Sequence, residues 1–423
     1  MNSARTKSPA PLVSFVLASY QRRDVLMHTL RMVRGLELEP HDVEIIVVDN
    51  ASSDQTADAA ETLADVVIRR RKNSGSCAKA WGVDVARGRY VVFLDDDSFP
   101  RRGSISAMLA HFEQDERLGA AGFTVHLPDG RCECSALPGV GVGCGVGFRT
   151  QALRAAGGLD RTFFMQAEEY DLSFRLVSAG WTVRVFDDLH VDHLKTPVAR
   201  RSQRTTYLDI RNNLRVIARH LPAPLAAEYR ADWRQRYEWL ADHDGHLAAF
   251  RRGRRAGAWL AAIERWTHAG RRLSGMGVEF FFRLNELARR FQTLREQGVK
   301  RIVGADLGKN IYAFHRAAGI AGVEIAAIGD DRFAAAGRTY RGVPMVPLAE
   351  ALRTPGDAVV VMNMAAAQAQ ETALRVLSIS ALPVHHWYGA SPFGLLAMTT
   401  HPQKSIGAGS FPYPCEVPPL AVR

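Results

Sequence analysis

The chain has 423 residues, 47% of them hydrophobic and 23% charged; at about 150 residues per domain this predicts two or three domains and excludes wholesale disorder. Five cysteines spread over the length exclude a disulfide-stapled miniature, and Cys132-x-Cys134 has neither zinc-ribbon spacing nor a second half, so a reducing compartment is expected. Lys and Arg exceed Asp and Glu by 54 − 44 = 10, a balance that suits phosphate-bearing ligands, nucleic acid or an anionic membrane face without choosing among them.

Residues 1–10 carry no apolar signal-like core and read as a flexible N-terminus. The next ~90 residues alternate. Val13 to Ala18 predicts a buried strand, Arg23 to Arg34 a helix, Glu44 to Val48 a strand, and Asp54 to Leu63 a helix capped by Asp54. Val66 to Ile68 is a short strand, Ser76 to Arg87 a helix stopped by Gly88, and Tyr90 to Leu94 a strand. This alternation means βαβ units and a mostly parallel sheet. A helix from Ser104 to Glu116, an irregular stretch from Thr124 to Arg149, a helix from Glu168 to Ala179 and a strand from Trp181 to Phe186 follow. Residues 222–297 read as a basic helical region, densest at Arg251-Arg252-Gly253-Arg254-Arg255, with Trp259, Trp266 and Phe280 to Phe282 downstream. Strands at Arg301 to Val303, Val323 to Ile328 and Ala358 to Met362 define a second, smaller α/β domain over 298–390, and 391–423 reads as an irregular tail. No stretch reaches the ~18 consecutive apolar residues of a membrane span, so a soluble, cytoplasmic protein is expected.

In an open α/β sheet, ligands sit outside the carboxyl ends of the strands. Here those ends carry Ser19-Tyr20, Asp49-Asn50 and Asp95-Asp96-Asp97. Three acids after an apolar strand are poor core material. Carboxylates one residue apart can share Mg²⁺ or a similar cation with a substrate diphosphate. The same residues also fit a solvated turn capping the next helix.

The runs VSFVLASYQRRD, EIIVVDNASSDQT and GRYVVFLDDDS, in this order and spacing, resemble the N-terminal half of glycosyltransferase family 2, the GT-A fold. GLDRTFFMQAEEYDLSFRLVSAGW resembles that family's acidic acceptor-site motif, and TTYLDIRNNLRVIARHLP the segment that often follows. The resemblance spans about 11–221. It implies an inverting, metal-dependent transferase that moves a sugar from a nucleotide-diphosphate sugar to a glycan or lipid-linked acceptor in surface polysaccharide or glycolipid synthesis. Asp49 is then expected at the nucleotide base and Asp95 at the ribose or metal. Asp97 would be a direct ligand of Mg²⁺ or Mn²⁺, joined by His193, with His190 the weaker candidate. Ser19, Tyr20, Lys79, Asp96 and Arg211 complete the donor set. Glu169 stands where the family usually has the aspartate that acts as general base; Glu168 is the fallback, and Asp171 is read as structural. Two departures, Glu169 itself and Ala80 in Lys79-Ala80-Trp81-Gly82 where many relatives read Arg-Asn-x-Gly, motivate an alternative: a nucleotide-sugar-binding scaffold with an impaired site.

The basic helices fit either a solvated face or peripheral attachment to an anionic bilayer. No nucleic-acid recognition motif appears. Gly304-x-x-x-Gly308 is shorter than the dinucleotide fingerprint, although Asp330 ends the next strand. The stretch IGDDRFAAAGRTYRGVPMVPLAEAL resembles Rossmann-like domains attached to sugar-modifying enzymes. A regulatory or oligomerisation role is therefore expected for this domain ahead of a second nucleotide site or a nicotinamide oxidoreductase.

Overall fold

A computed structural model describes residues 10–195, 202–268, 272–391 and 394–400. Residues 1–9, Cys415 and the rest of the tail beyond 400 lie outside the described residues. The chain divides into two compact units. The first comprises Met1–Arg131, Gly141–Leu172 and Ala179–Lys195; the second comprises Cys132–Val140, Ser173–Ser178 and Thr196–Arg423.

The first unit is built on β1 (Val13–Ser19), β2 (Val43–Asp49), β3 (Val66–Arg69), β4 (Tyr90–Asp95), β5 (Ser98–Pro100), β6 (Leu118–His126), β7 (Val146–Arg149) and β8 (Thr182–His193). They lie in the order β3-β2-β1-β4-β7-β6-β8-β5. The β3-β2-β1-β4 half is parallel, as the βαβ reading required. β7 runs antiparallel to both β4 and β6, and β5 antiparallel to β8. The parallel strands are apolar without alternation because both faces are covered. Phe15, Leu17, Ile45, Val47, Val92 and Leu94 are all fully buried. The helix Arg23–Arg34 presents Leu26, Leu30 and Val33 to this core, one stripe at helical spacing.

Several elements differ from the sequence reading, among them the strand expected over Trp181 to Phe186, which runs over Thr182–His193, and the strand Val146–Arg149 inside the stretch expected to be irregular. The helix expected over Asp54 to Leu63 is only Thr56–Ala60; Asp54 still accepts the Thr56 backbone N–H at 3.1 Å, but Gln55 is left-handed and delays the start. Leu118–His126 is a nine-residue strand. Its glycines and alanines give no period-2 signal, and it forms because β7 and β8 flank it.

The second unit holds five helices in succession, Gln203–His220, Ala223–His243, Leu247–Thr267, Gly275–Phe282 and Leu284–Glu296. Ser202 caps the first by a reciprocal box with Thr205. Leu247–Thr267 packs closely on it: a Cβ at Gly253 would stand 2.4 Å from the Tyr207 carbonyl oxygen, so only glycine permits this approach. Glu264, buried, receives Arg215 at 2.8 Å and Arg219 at 2.7 Å. The sheet of this unit comprises β9 (Arg301–Ala305), β10 (Glu324–Gly329), β11 (Thr339–Tyr340), β12 (Val343–Val346), β13 (Ala358–Val361), β14 (Val384–Ser391) and β15 (Gly394–Thr400). Their order is β11-β12-β10-β9-β13-β14-β15. Leu287, Phe291 and Leu294 share one core with Ile302, Phe314 and Val360. Ala369, Ala373 and Val376 cover the other face. β15 falls in the stretch expected to be an irregular tail; its ladder with β14 supplies the hydrogen bonds that its sequence does not advertise.

Candidate active site

The carboxyl ends of β1, β2 and β4 bring the first unit's polar residues together. Asp49 ends β2 and is buried; its Oδ2 accepts the Ser52 N–H at 3.1 Å, while Oδ1 has no hydrogen-bond partner among the described residues. A buried acceptor left open is costly unless a ligand or water donates to it. Tyr20 is exposed beside this edge.

The three aspartates diverge. Ser98 Oγ accepts the Asp95 N–H at 2.8 Å and donates to the Cys144 carbonyl at 2.8 Å, which fixes the turn leaving β4. Asp95 is half-exposed, and its Oδ1 takes a 2.6 Å hydrogen bond from the Lys79 ammonium. Lys79 is buried and also donates to the Gly143 carbonyl at 2.8 Å. Burial works against its charge, but the Asp95 carboxylate outweighs this and raises its pKa above the usual value. Asp96 turns inward to Arg22 Nη1 at 2.6 Å and Ser19 Oγ at 2.8 Å; burial pushes its carboxyl up to about 6 in spite of Arg22. Asp97 meets Arg22 Nη2 at 2.9 Å and His193 Nε2 at 3.1 Å. Burial raises it too, but the His193 hydrogen bond and charge, with Arg22, hold it down at about 2. The pairing of Ser98 with His193 in the β5–β8 ladder brings imidazole and carboxylate side by side. Arg22, buttressing two of the three acids, lies within the run VSFVLASYQRRD, but no role was assigned to it from the sequence.

The donor atoms that converge are those of Asp95, Cys144 and His193, all within 4.8 Å of one another. Asp97 stands behind His193, where a carboxylate fixes the ring of a metal-ligating imidazole. Cys144 Sγ lies 3.4 Å from His193 Nδ1. A carboxylate, a thiol and an imidazole fit one divalent cation, and the nitrogen and sulfur donors suit Mn²⁺ and later transition ions better than Mg²⁺. Cys144 was not singled out from the sequence, where it is one cysteine in a glycine-rich, irregular stretch. His190 lies instead against His126 at 3.0 Å.

The acidic pair opens the helix Glu168–Ser178. Phe164, Gln166 and Ala167, just before it, all have positive φ, a strained approach of the kind found at functional sites. The Phe164 carbonyl accepts the Cys77 N–H at 3.1 Å, which pins this loop. Glu168 is buried; Ser76 Oγ donates to its Oε1, and its Oε2 has no hydrogen-bond partner among the described residues. Glu169 is half-buried beside Gly143, where an added Cβ would stand 3.1 Å from its Oε1. Burial, and next the charge of Glu168, push the Glu169 carboxyl up to about 8. Lys79 and Asp95 are in electrostatic reach of both glutamates. Asp171 is fully buried.

Arg211 belongs to the second unit, on Gln203–His220, where its Nε donates to Asn212 Oδ1 at 2.8 Å. Asp330 accepts the backbone N–H groups of Leu307, Arg332 and Phe333 at 2.8–3.2 Å, the pattern of a structural turn, and also meets the Asp306 carboxyl, which burial and next the Asp330 charge push up to about 6.

Residues 14–133 match the family model "Glycosyl transferase family 2". The match runs through β1 to β6, which agrees with the GT-A fold and the transferase class expected from the motifs. The chain is 30% identical over 155 residues to TuaG of Bacillus subtilis, named as a teichuronic acid biosynthesis glycosyltransferase; the alignment covers 32% of this chain and 60% of that protein. It is 31% identical over 111 residues to the UDP-Glc:alpha-D-GlcNAc-diphosphoundecaprenol beta-1,3-glucosyltransferase WfaP of Escherichia coli, covering 25% of this chain and 43% of that one. The chain thus spans about half the length of these curated relatives. Among solved structures, the mannosyltransferase PcManGT of Pyrobaculum calidifontis, in complex with GDP-Man and Mn²⁺, aligns at 18% identity and a TM-score of 0.43, covering 61% of this chain and 88% of that one.

Proposed function

With a glycosyl transferase family 2 domain over residues 14–133 as the premise, we propose that the chain transfers a sugar from a nucleotide-diphosphate sugar to a hydroxyl of a glycan or lipid-linked acceptor, with inversion, in polysaccharide or glycolipid synthesis. The observation that carries this reading is the chain of contacts Asp95–Lys79–Gly143–Glu169, which joins the acids of the β4 edge to the acidic pair.

Asp49, with its open Oδ1, accepts a hydrogen bond from the nucleotide base. Tyr20 flanks the same edge. Asp95, Cys144 and His193 would hold the divalent cation, with Asp97 orienting His193. When bound, that cation neutralises charge on the departing diphosphate. Lys79 holds Asp95 in place and keeps a positive charge beside the diphosphate subsite. Glu169 takes the proton from the acceptor hydroxyl as its oxygen attacks the anomeric carbon. A carboxyl with a pKa near working pH suits that task. Glu168 stays buried against Ser76 and raises the basicity of Glu169 by its charge. One displacement needs no covalent nucleophile and inverts the anomeric centre.

The test pairs binding with turnover. UDP-, GDP- and dTDP-sugars are screened by thermal shift with and without Mn²⁺, and those that bind are offered a panel of glycan and lipid-linked acceptors. A cation-dependent rise in melting temperature, lost in Asp95→Ala, is expected. No shift with any nucleotide sugar would sink the reading. Binding without transfer to any acceptor would favour a scaffold.

A further inference from the structure

The helix Leu247–Thr267 has two unlike faces. Gly253, Gly257, Ala261 and Glu264 form its buried stripe, spaced 4, 4 and 3 residues apart. The close approach at Gly253 and the Arg215–Glu264–Arg219 network lock the helix against Gln203–His220, so it cannot roll. Arg252, Arg255, Trp259, Ile263 and Trp266 follow one another at spacings of 3, 4, 4 and 3 and form an exposed stripe. Trp259 is 66% and Trp266 85% exposed, with Ile263 41% exposed. Two indoles held so far out of a fold are unusual in a protein surrounded only by water. The charge is as one-sided. Arg251, Arg252, Arg254, Arg255 and Arg265 are all exposed, and the helix has a single acid, Glu264, which is buried. The exposed surface of the helix therefore carries five positive charges and no negative one: Arg252 and Arg255 lie in the tryptophan stripe, and Arg251, Arg254 and Arg265 flank it.

We propose that this face docks the protein in the plane of an anionic bilayer surface. Indoles favour the headgroup level, where an apolar ring and an N–H donor are both accommodated. Arginines beside them meet lipid phosphates, and each basic residue near an anionic leaflet strengthens binding by about fivefold. Charge complementarity selects an anionic lipid surface over a second copy of this chain, whose same face would bring five arginines against five. No helix among the described residues is long and apolar enough to cross a membrane, so the contact is peripheral. The inference stands on this surface alone; where the transferase reading also holds, it brings a lipid-linked acceptor to the enzyme.

The test is co-sedimentation of the full chain with vesicles of phosphatidylcholine alone or mixed with phosphatidylglycerol. Binding to the anionic vesicles only, weakened by salt, is expected, with a blue-shifted tryptophan emission quenched by brominated lipid. Trp259→Gln with Trp266→Gln should lower vesicle affinity at least tenfold and remove the quenching. Arg251, Arg252, Arg254 and Arg255 changed together to Gln should lower affinity for the anionic vesicles at least tenfold and shrink its salt sensitivity, with Arg265 left to carry the remainder. All these positions are exposed, so the variants should keep the melting temperature and its nucleotide-sugar shift, which separates failure here from failure of the transferase reading. No binding to anionic vesicles by the folded protein, or equal binding by the tryptophan variant, would overturn the proposal. So would a dimer in sedimentation velocity, or binding to a labelled nucleic acid duplex, that those variants abolish while vesicles are ignored.

Discussion

Replacing Glu169 with glutamine removes the ionisable group and keeps the shape of the side chain. The Glu169 carboxyl lies at about 8 in the folded protein, raised first by burial and then by the Glu168 charge. From that value roughly a tenth of the molecules carry the base at pH 7, and roughly nine tenths at pH 9. If the ionised form is required, kcat/KM should rise about tenfold over this interval, since that ratio reports the free enzyme's groups. Glu169→Gln should lower kcat by about 10²–10⁴-fold and flatten the rising limb. Nucleotide-sugar binding, read by thermal shift, should survive, because Asp49, Asp95 and His193 are untouched. A variant that keeps more than a tenth of wild-type kcat, or a wild-type profile flat from pH 6 to 9, refutes Glu169 as the base. If Glu168→Gln alone removes the limb, the role passes to Glu168.

Cys144→Ser should weaken Co²⁺ or Mn²⁺ binding by about tenfold or more in calorimetry and erase the sulfur-to-cobalt charge-transfer band, leaving Mg²⁺ affinity nearly unchanged. Unaltered cobalt spectra would remove the thiol from the cation site. Asp97 has a folded pKa depressed to about 2, so its contribution is present above the unfolded value near 4 and is lost as pH falls through about 2. That shift corresponds to about 2–3 kcal/mol; urea denaturation of the metal-free protein should show Asp97→Asn less stable by about that amount at neutral pH, with a flatter loss in acid. Glu264→Gln leaves two buried guanidinium groups without their carboxylate, and chemical denaturation should register a loss of about 3–5 kcal/mol.

Strands β1, β2 and β4 were legible because parallel strands covered on both faces must be continuous apolar runs, and the acids that end them stand out against that background. The transferase motifs are legible for the same reason. They sit where each strand leaves the core, so chain order and spacing place them at one edge. The Glu168–Glu169 pair was readable as an acidic helix start. Its division of labour was not. Which glutamate meets Ser76 and which meets Gly143 depends on three left-handed residues, Phe164, Gln166 and Ala167, whose conformations no local propensity favours. Leu118–His126 escaped notice because glycine and alanine leave no alternation. Cys144 escaped because its partners, Asp95 and His193, are 49 residues away on either side.

Pattern along the chain therefore determined the alternating elements, the carboxyl-edge acids and the basic, tryptophan-bearing helix. Tertiary structure alone decided how the three aspartates divide their work. Asp95 turns toward Lys79 and the cation site, Asp96 toward Ser19 and Arg22, and Asp97 toward His193. Adjacent residues leaving a strand point in different directions, and the neighbours each meets are set by pairings distant in sequence. The same holds for the exposed tryptophans: their spacing is local, but that they face outward follows from the glycine contact at Gly253 that holds the opposite face of their helix.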